Sequence, residues 1–166
     1  VSMAAGVLVK RNTIKGKYNR VLPFGVYFSD RWEKAKFLGF GEGTSVYDNV
    51  VVLGKVKVGE HTWIGPNVVL DGSGGIEIGS NCSISAGVQI YSHDSIAWAI
   101  SGRKENYEFA KTIVEDNCYI GPNVVIQKGI TIGKGSIIGA NSLVNINISG
   151  NSKAYGTPIR IKGSSQ

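Results

Sequence analysis

The sequence has little of what usually marks a metal site, a disulfide framework or a membrane protein. Its 166 residues include two cysteines and two histidines, too few for a disulfide network or for a zinc ion held by three histidines of one chain. No apolar run is long enough to span a bilayer, and the N-terminal residues lack the apolar core of a signal peptide. Phosphate-binding loops, dinucleotide fingerprints and serine triads are also missing. We therefore expect a single cytoplasmic domain that requires no metal and has no transmembrane segment.

Acidic residues are scarce at the start of the chain, which makes its charge one-sided. Five basic residues precede the first acidic residue, Asp30, and carry most of the net charge of +6: Lys10, Arg11, Lys15, Lys17 and Arg20. The segment has no helix-turn-helix, zinc-finger or basic-aromatic strand pattern, so nucleic-acid binding is not expected. Two interpretations stay open: a solvated edge over one end of the fold, or attraction of an anionic substrate.

What the sequence does have is a six-residue period. Such a period is neither helical nor that of a plain strand, and it is typical of a solenoid built from short strands and turns. A second small or β-branched residue stands two positions before each aliphatic residue of the period, so both sets are predicted to point inward. The fourteen aliphatic positions are Val46, Val52, Val58, Ile64, Leu70, Ile78, Ile84, Ile90, Val114, Ile120, Ile126, Ile132, Ile138 and Val144.

The regularity of the period divides the chain into three segments. Residues 43–148 are predicted to form the solenoid, residues 1–42 to cap it, and residues 149–166 to form an extended tail. Alternating apolar residues in the cap predict short strands, and residues 30–37 predict a brief helical turn. Glycine and asparagine recur between the aliphatic positions, where they suit tight corners with left-handed backbone conformations.

Two segments interrupt the six-residue period of the solenoid. Residues 91–111 leave the period completely, and their aromatic side chains favour a folded arm that packs on a neighbouring subunit. A two-residue slip at 71–75 is a smaller interruption.

Cys82 and Cys118 both fall on inner positions of the period, which predicts buried thiols rather than a disulfide.

Two stretches carry a resemblance to a known family. VGEHTWIGPNVV at 58–69 and CYIGPNVVIQKGITIGKGSIIGANS at 118–142 resemble the hexapeptide repeat of the left-handed β-helix acyltransferases, and the resemblance covers roughly residues 42–162. It implies an all-β fold, a left-handed parallel β-helix in the shape of a triangular prism. Three hexapeptides per coil would give between four and five coils, with a protruding loop after His93.

The resemblance also implies a catalytic residue. Sugar acetyltransferases of this fold carry a histidine where the arm begins and a segment like EFAKTI, found here at 108–113, where it ends. His93 matches that histidine, whose family role is general base toward the acceptor hydroxyl, a task that suits a group titrating near neutrality. The local sequence Ser92-His93-Asp94 is more similar to the branch that modifies surface polysaccharides and lipopolysaccharide. Gly65 replaces a polar residue of the galactoside-type sugar site, which argues against that acceptor.

Further site residues follow from the same resemblance and from the composition of the arm. Acetyl-CoA, the implied acyl donor, is expected at corners of the later coils and at the basic tail, on Gly121, Pro122, Gly139, Ala140, Asn145, Arg160 and Lys162. The acceptor is expected to contact polar and aromatic residues near the arm, namely Asp71, Asp94, Trp98, Arg103, Tyr107 and Glu108.

The expected function is transfer of an acetyl group from acetyl-CoA to a sugar hydroxyl in polysaccharide or lipopolysaccharide biosynthesis. The resemblance implies a homotrimer with active sites between subunits, and the acceptor would be a sugar or a nucleotide-linked sugar. Two alternatives remain open at this point. One is N-acetylation of a nucleotide-linked amino sugar, which depends less on a base. The other is a non-catalytic β-helix scaffold, which acetyl-CoA should not stabilise against heat.

Overall fold

The computed structural model describes residues 2–166. The helices are α1 (Met3–Tyr18), α2 (Arg31–Phe37) and α3 (Ile96–Ile100), and a 3₁₀ helix (Phe24–Tyr27) lies between α1 and α2. No helix within residues 2–166 is long and apolar enough to cross a membrane. The strands are β1 (Ser45–Val46), β2 (Val51–Val58), β3 (Trp63–Ile64), β4 (Val69–Ile78), β5 (Ser83–Ile84), β6 (Gln89–Tyr91), β7 (His93–Asp94), β8 (Glu108–Phe109), β9 (Thr112–Val114), β10 (Tyr119–Ile120), β11 (Val125–Ile126), β12 (Thr131–Ile132), β13 (Ile137–Ile138), β14 (Leu143–Val144), β15 (Ser152–Tyr155) and β16 (Arg160–Ser164).

The strands stack into three parallel faces of a β-helix. The first face follows the order β1, β3, β5, β10, β13 and β15, with β16 added antiparallel at its edge. The second face contains the first halves of β2 and β4, then β6, β11 and β14. The third contains the second halves of β2 and β4, then β9 and β12. The predicted parallel solenoid of hexapeptide repeats is therefore confirmed.

The six-residue period forms the core. All of its aliphatic positions are buried except Val52, which is partly buried, and Ile64, Ile84, Ile120 and Ile138 are fully inaccessible. Successive coils place these side chains directly above one another, as in the pairing of Ile84 with Ile120 and of Ile120 with Ile138. Burial of stacked aliphatic side chains is the main source of stability in such a column.

Small polar side chains join the coils at one corner of the column. Thr44 Oγ1 donates to the Gly59 carbonyl at 2.7 Å, and Thr62 Oγ1 donates to the Gly79 carbonyl at 2.8 Å. Cys82 Sγ and Cys118 Sγ take the equivalent positions, 3.2 Å from the Glu115 carbonyl and 3.3 Å from the Gly133 carbonyl. Both thiols are free and buried, as predicted, because this position accepts only a small side chain that can hydrogen-bond a carbonyl.

Asparagine and glycine occupy the corners of the solenoid for two different physical reasons. The predicted left-handed positions do have positive φ, for example 59° at Asn67 and 73° at Gly135. The glycines directly after the aliphatic residues are needed for close stacking instead. A Cβ on Gly133 would lie 2.4 Å from the Gly150 nitrogen, so only glycine lets these coils approach.

The N-terminal segment is helical, and the expectation of short strands there was wrong. Val7 and Val9 alternate like strand residues, but both lie in α1, where Val7 is buried and Val9 is exposed. The predicted helical turn at 30–37 is confirmed as α2, whose N-cap Asp30 accepts from the Trp32 and Glu33 amides. The apolar alternation at Val7 and Val9 is too short to specify a sheet, whereas the cap of α2 acts within its own first turn.

The two ends of the solenoid are closed in different ways. At the first coil, Ala35 of α2 enters the core, and Lys34 Nζ donates to the carbonyls of Tyr47, Asp48 and Val50. At the other end the parallel stack continues through β15, beyond residue 148, before β16 turns back antiparallel. The extended basic strand predicted for the tail is β16.

Candidate active site

All interruptions of the period lie at one corner, between the second and third faces. We call this the arm edge, made of residues 53–55, 71–75, 91–111, 127–130 and 145–147. Ser92 holds its middle coils together, since Ser92 Oγ donates to the Asp71 carbonyl at 2.6 Å and accepts from the Gly74 amide at 2.8 Å. The Ser92 carbonyl accepts from the Ala110 amide at 2.9 Å, so the two ends of the arm meet. The slip and the arm thus form one structural unit.

His93 and Asp71 face each other at the base of the arm. His93 Nδ1 lies 3.0 Å from Asp71 Oδ2, and the two side chains are 24% and 6% exposed. The other carboxylate oxygen accepts from Ser73 N at 3.1 Å and Ser73 Oγ at 2.6 Å. The two atoms are close but are not aligned as a hydrogen bond, and no hydrogen-bond partner within residues 2–166 serves the buried Nδ1. A carboxylate here favours a proton on Nδ1 and leaves the lone pair on Nε2.

Aromatic side chains of the arm fix the histidine ring from its other side. β7 and β8 form an antiparallel pair that sets His93 opposite Phe109. The two rings stack with centroids 5.8 Å apart, and Tyr107 lies 6.1 Å away. Tyr107 in turn meets Trp98 edge to face at 5.5 Å, and the Arg103 guanidinium lies 5.6 Å from the Trp98 ring. The predicted arm residues therefore form a continuous cluster around the histidine.

Lys128 ties the arm to the following coil. Its Nζ lies 3.0 Å from Asp94 Oδ2 and 2.8 Å from Glu108 Oε2, so one ammonium bridges both strands of the arm. The hydrogen bond from Lys128, together with the Ile96 amide, lowers the pKa of Asp94, and the two carboxylates raise the pKa of Lys128. The acceptor-binding role expected for Asp94 and Glu108 stays a prediction, and here both carboxylates are engaged by Lys128.

An open cleft of about 490 Å³ lies beside the histidine. His93, Asp94 and Ile96 line one side, and Val125, Gln127 and Lys128 of the next coil line the other. The cleft thus combines a ring nitrogen with a free lone pair, an ammonium group and apolar surface, which suits a polar acceptor held against a base.

The residues expected to bind acetyl-CoA do not meet at this cleft within one chain. Gly121, Pro122, Gly139 and Ala140 lie at a different corner, between the first and second faces, which we call the glycine edge (residues 47–50, 65–68, 85–88, 121–124 and 139–142). Asn145 lies at the arm edge, exposed and after β14. Gly121 also has a packing reason, because a Cβ there would lie 2.7 Å from the Ala140 nitrogen.

Arg160 and Lys162 are exposed residues of β16. The turn before this strand is bonded to the last coil of the glycine edge, with Gly156 N donating to Ser142 Oγ at 2.9 Å and Thr157 Oγ1 to the Asn141 carbonyl at 2.9 Å. The two cations therefore extend the glycine edge rather than the arm edge.

Two hexapeptide-repeat family models and a solved acetyltransferase structure are similar to this chain. Residues 111–145 match the bacterial transferase hexapeptide (six repeats), and residues 55–92 match the hexapeptide repeat of succinyl-transferase. The chain is similar to a hexapeptide-repeat-containing acetyltransferase from Vibrio cholerae, solved with acetyl-coenzyme A, at 29% identity over 98% of this chain and 88% of that chain, with a TM-score of 0.73. The resemblance to the hexapeptide-repeat acyltransferases is therefore confirmed.

A second solved structure is similar in fold. AntD, an N-acyltransferase from Bacillus cereus solved with dTDP and 3-hydroxybutyryl-CoA, is 24% identical over 75% of this chain and 71% of that chain, with a TM-score of 0.68. No curated protein matches the sequence.

Sequence reasoning missed three contributors to this site: Ser92, Phe109 and Lys128. The positions of Phe109 and Ser92 in the sequence could have indicated their roles, since they stand at the two ends of the arm, where the chain must close on itself. Lys128 had none, because it lies in an otherwise ordinary hexapeptide and its partners come from another part of the chain.

Replacing Lys128 by Gln should loosen the arm without unfolding the solenoid. We expect faster hydrogen exchange at the β7–β8 amides and a lower kcat, because Phe109 would no longer be held against His93. The depressed pKa of Asp94 gives the pH dependence: Asp94 stays charged above that pKa, and its pair with Lys128 is lost as the pH falls through it. Exchange rates of wild type and variant should therefore converge in acid. Lys134→Gln, which removes an exposed charge elsewhere, is the control, and equal exchange in both variants at neutral pH would contradict this role.

Proposed function

We propose that the protein is an acetyl-CoA-dependent acetyltransferase that acetylates a sugar hydroxyl in surface polysaccharide or lipopolysaccharide biosynthesis. The observation that carries the proposal is the His93–Asp71 pair beside an open cleft. The acetyl-CoA complex of the similar Vibrio cholerae acetyltransferase and the acyl-CoA complex of AntD support the choice of donor. The assignment of a sugar hydroxyl as the acceptor depends on His93, because a hydroxyl needs a base more than a neutral amine does.

In the proposed reaction His93 acts as the general base. Nε2 takes the proton from the acceptor hydroxyl while that oxygen forms a bond to the acetyl carbon. The carbon–sulfur bond of the thioester then breaks, and the imidazolium returns the proton to the leaving sulfur. Asp71 is assigned to the histidine rather than to the acceptor: its buried carboxylate orients the ring and stabilises the imidazolium formed midway.

His93→Ala should lower turnover with hydroxyl acceptors by roughly 10²–10⁴, the usual contribution of a positioned base, with the affinity for acetyl-CoA nearly unchanged. Asp71→Asn should lower kcat by about 10² or more and alter the pH profile, because an amide favours the other tautomer. His61→Ala is the control, since His61 is an exposed turn residue. The measurement is CoA release from acetyl-CoA with free sugars, nucleotide-linked sugars and amino sugars.

The acceptor series separates the candidate functions. Hydroxyl acceptors turned over normally by His93→Ala would make the base assignment wrong. Amino sugars as the favoured acceptors, with most activity kept in His93→Ala, would establish N-acetylation instead. No turnover, together with no thermal stabilisation by acetyl-CoA, would leave the protein as a scaffold.

We also propose a homotrimer whose second faces point toward the threefold axis. The outward residues of that face are mostly apolar: Val51, Val69, Gln89, Val125 and Leu143. The corresponding third-face positions are Lys57, Glu77, Ile113 and Thr131, and three of these four residues are polar. Because the second face lies between the arm edge and the glycine edge, cyclic closure brings the arm edge of one subunit to the glycine edge of the next. That arrangement would unite His93 with the expected acetyl-CoA residues.

Val69→Asp should disrupt this assembly, because it introduces a charge into an apolar contact. Wild type should scatter light with about three times the chain mass of 17.7 kDa, and the variant should be smaller and inactive. Thr131→Asp, at the corresponding outward position of the third face, should stay trimeric and active. A wild-type protein of a single chain mass at micromolar concentration would exclude both the trimer and the shared site.

Arg160→Gln/Lys162→Gln should raise the KM for acetyl-CoA, because these cations are proposed to hold its phosphates. Charge-assisted hydrogen bonds contribute about 1.5–3 kcal/mol each, and less where the phosphates stay solvated. The KM should also become less sensitive to salt, while kcat at saturation changes little. Lys36→Gln/Lys134→Gln removes the same charge from other exposed positions and serves as the control. A weakened sugar KM with an unchanged acetyl-CoA KM would move the acceptor to this end.

A further inference from the structure

The N-terminal platform, which we define as α1 and the 3₁₀ helix within residues 3–28, exposes an unusual amount of apolar surface. Met3 is 74% exposed and Phe24 is 68% exposed, and Leu8 and Phe28 are each 48% exposed. Phe24 and Phe28 contact each other edge to face with centroids 5.1 Å apart. Together with Ala4 and Val7, these four residues line one continuous apolar hollow. A soluble domain rarely leaves such a surface uncovered without a binding role.

The platform is attached to the rest of the protein by few contacts. Within α1, Val7 is the buried residue, and it lines the apolar hollow together with Phe24 and Phe28. The closure of the first coil is carried by α2 instead, through Ala35 and Lys34. The exposed apolar residues of the platform are therefore not explained by capping of the solenoid.

Charge on the platform is separated from apolar surface along the chain. Residues 3–9 of α1 carry no charge, whereas the stretch 10–20 contains five cations and no acidic residue. Lys10 and Arg20 line a second cavity of about 230 Å³ with Arg31 and with Asp30, the one acidic residue of its lining. The separation runs along the helix rather than between two of its faces, and an apolar end beside a cationic end matches the order of acyl chains and phosphates at a lipid surface.

We propose that the N-terminal platform binds the surface of a membrane containing anionic phospholipid. Met3, Leu8, Phe24 and Phe28 enter the boundary between headgroups and acyl chains, and the cations of 10–20 meet the lipid phosphates. Charge decides against a second copy as the occupant, because two such platforms would repel each other. Nucleic acid would use the cations but leave the phenylalanines without a contact. The inference is independent of the proposed acetyl transfer.

Cosedimentation of the full chain with phosphatidylcholine vesicles, with and without phosphatidylglycerol, tests the proposal. Wild type should bind the anionic vesicles at low salt and be released by high salt. Arg11→Gln/Lys17→Gln should weaken binding by about 30-fold, since each cation near an anionic surface contributes about fivefold. Phe24→Ser/Phe28→Ser, which keeps every cation of the platform, should also lose binding to the anionic vesicles. Lys134→Gln/Lys153→Gln, with the same charge loss on the solenoid, should bind like wild type.

Light scattering and thermal unfolding of each variant keep the result interpretable. Variants that keep the wild-type mass and melting temperature while losing vesicle binding support the proposal. Absence of wild-type binding to anionic vesicles would overturn it. So would a phenylalanine variant that binds normally, which would mark a general polyanion site. A changed mass in that variant, with vesicle binding intact, would assign the apolar surface to contact between copies.

Discussion

The vertical register between coils is the constraint on which the rest of this structure depends. Each short strand has too few backbone hydrogen bonds to be stable alone, and its aliphatic residue is buried only when the coils above and below supply theirs. The Ile84, Ile120 and Ile138 column and the small-residue positions at Thr62, Cys82 and Cys118 obey the same register. A residue inserted within a face would displace every pairing beyond it, so extra residues are tolerated only at a corner.

The arm edge uses that tolerance to build a site. Asp71 and His93 come from consecutive coils and meet because β4 and β6 pair in register, with Asp71 opposite Tyr91. The rigid column fixes the backbone of both residues, while the arm supplies the rings and charges that hold the imidazole. A buried carboxylate without such a partner would be costly, so the pairing of Asp71 with Ser73 and His93 serves both stability and chemistry.

Much of the fold followed from the sequence, for a physical reason. A repeat of six residues encodes the solenoid locally, since each unit needs the same inward aliphatic residue and the same corner chemistry, as Asn67 and Gly135 illustrate. The helix α2 is also predictable from the sequence, because its N-cap residue Asp30 accepts hydrogen bonds from amides of the first turn. The segment 3–18 was misread because its valines are spaced two apart, and nothing local distinguishes a short alternation from one face of a helix.

The sequence by itself determined the column, its interruption at 91–111, and His93 as the residue at the point of departure. The tertiary structure alone decided the partners: that Asp71 lies behind the imidazole, that Lys128 bridges Asp94 and Glu108, and that the glycine edge and the arm edge are separate corners of one chain. A period specifies which residues point inward. It does not specify which side chains of different coils meet at a corner, because those contacts depend on where insertions place the chain in three dimensions.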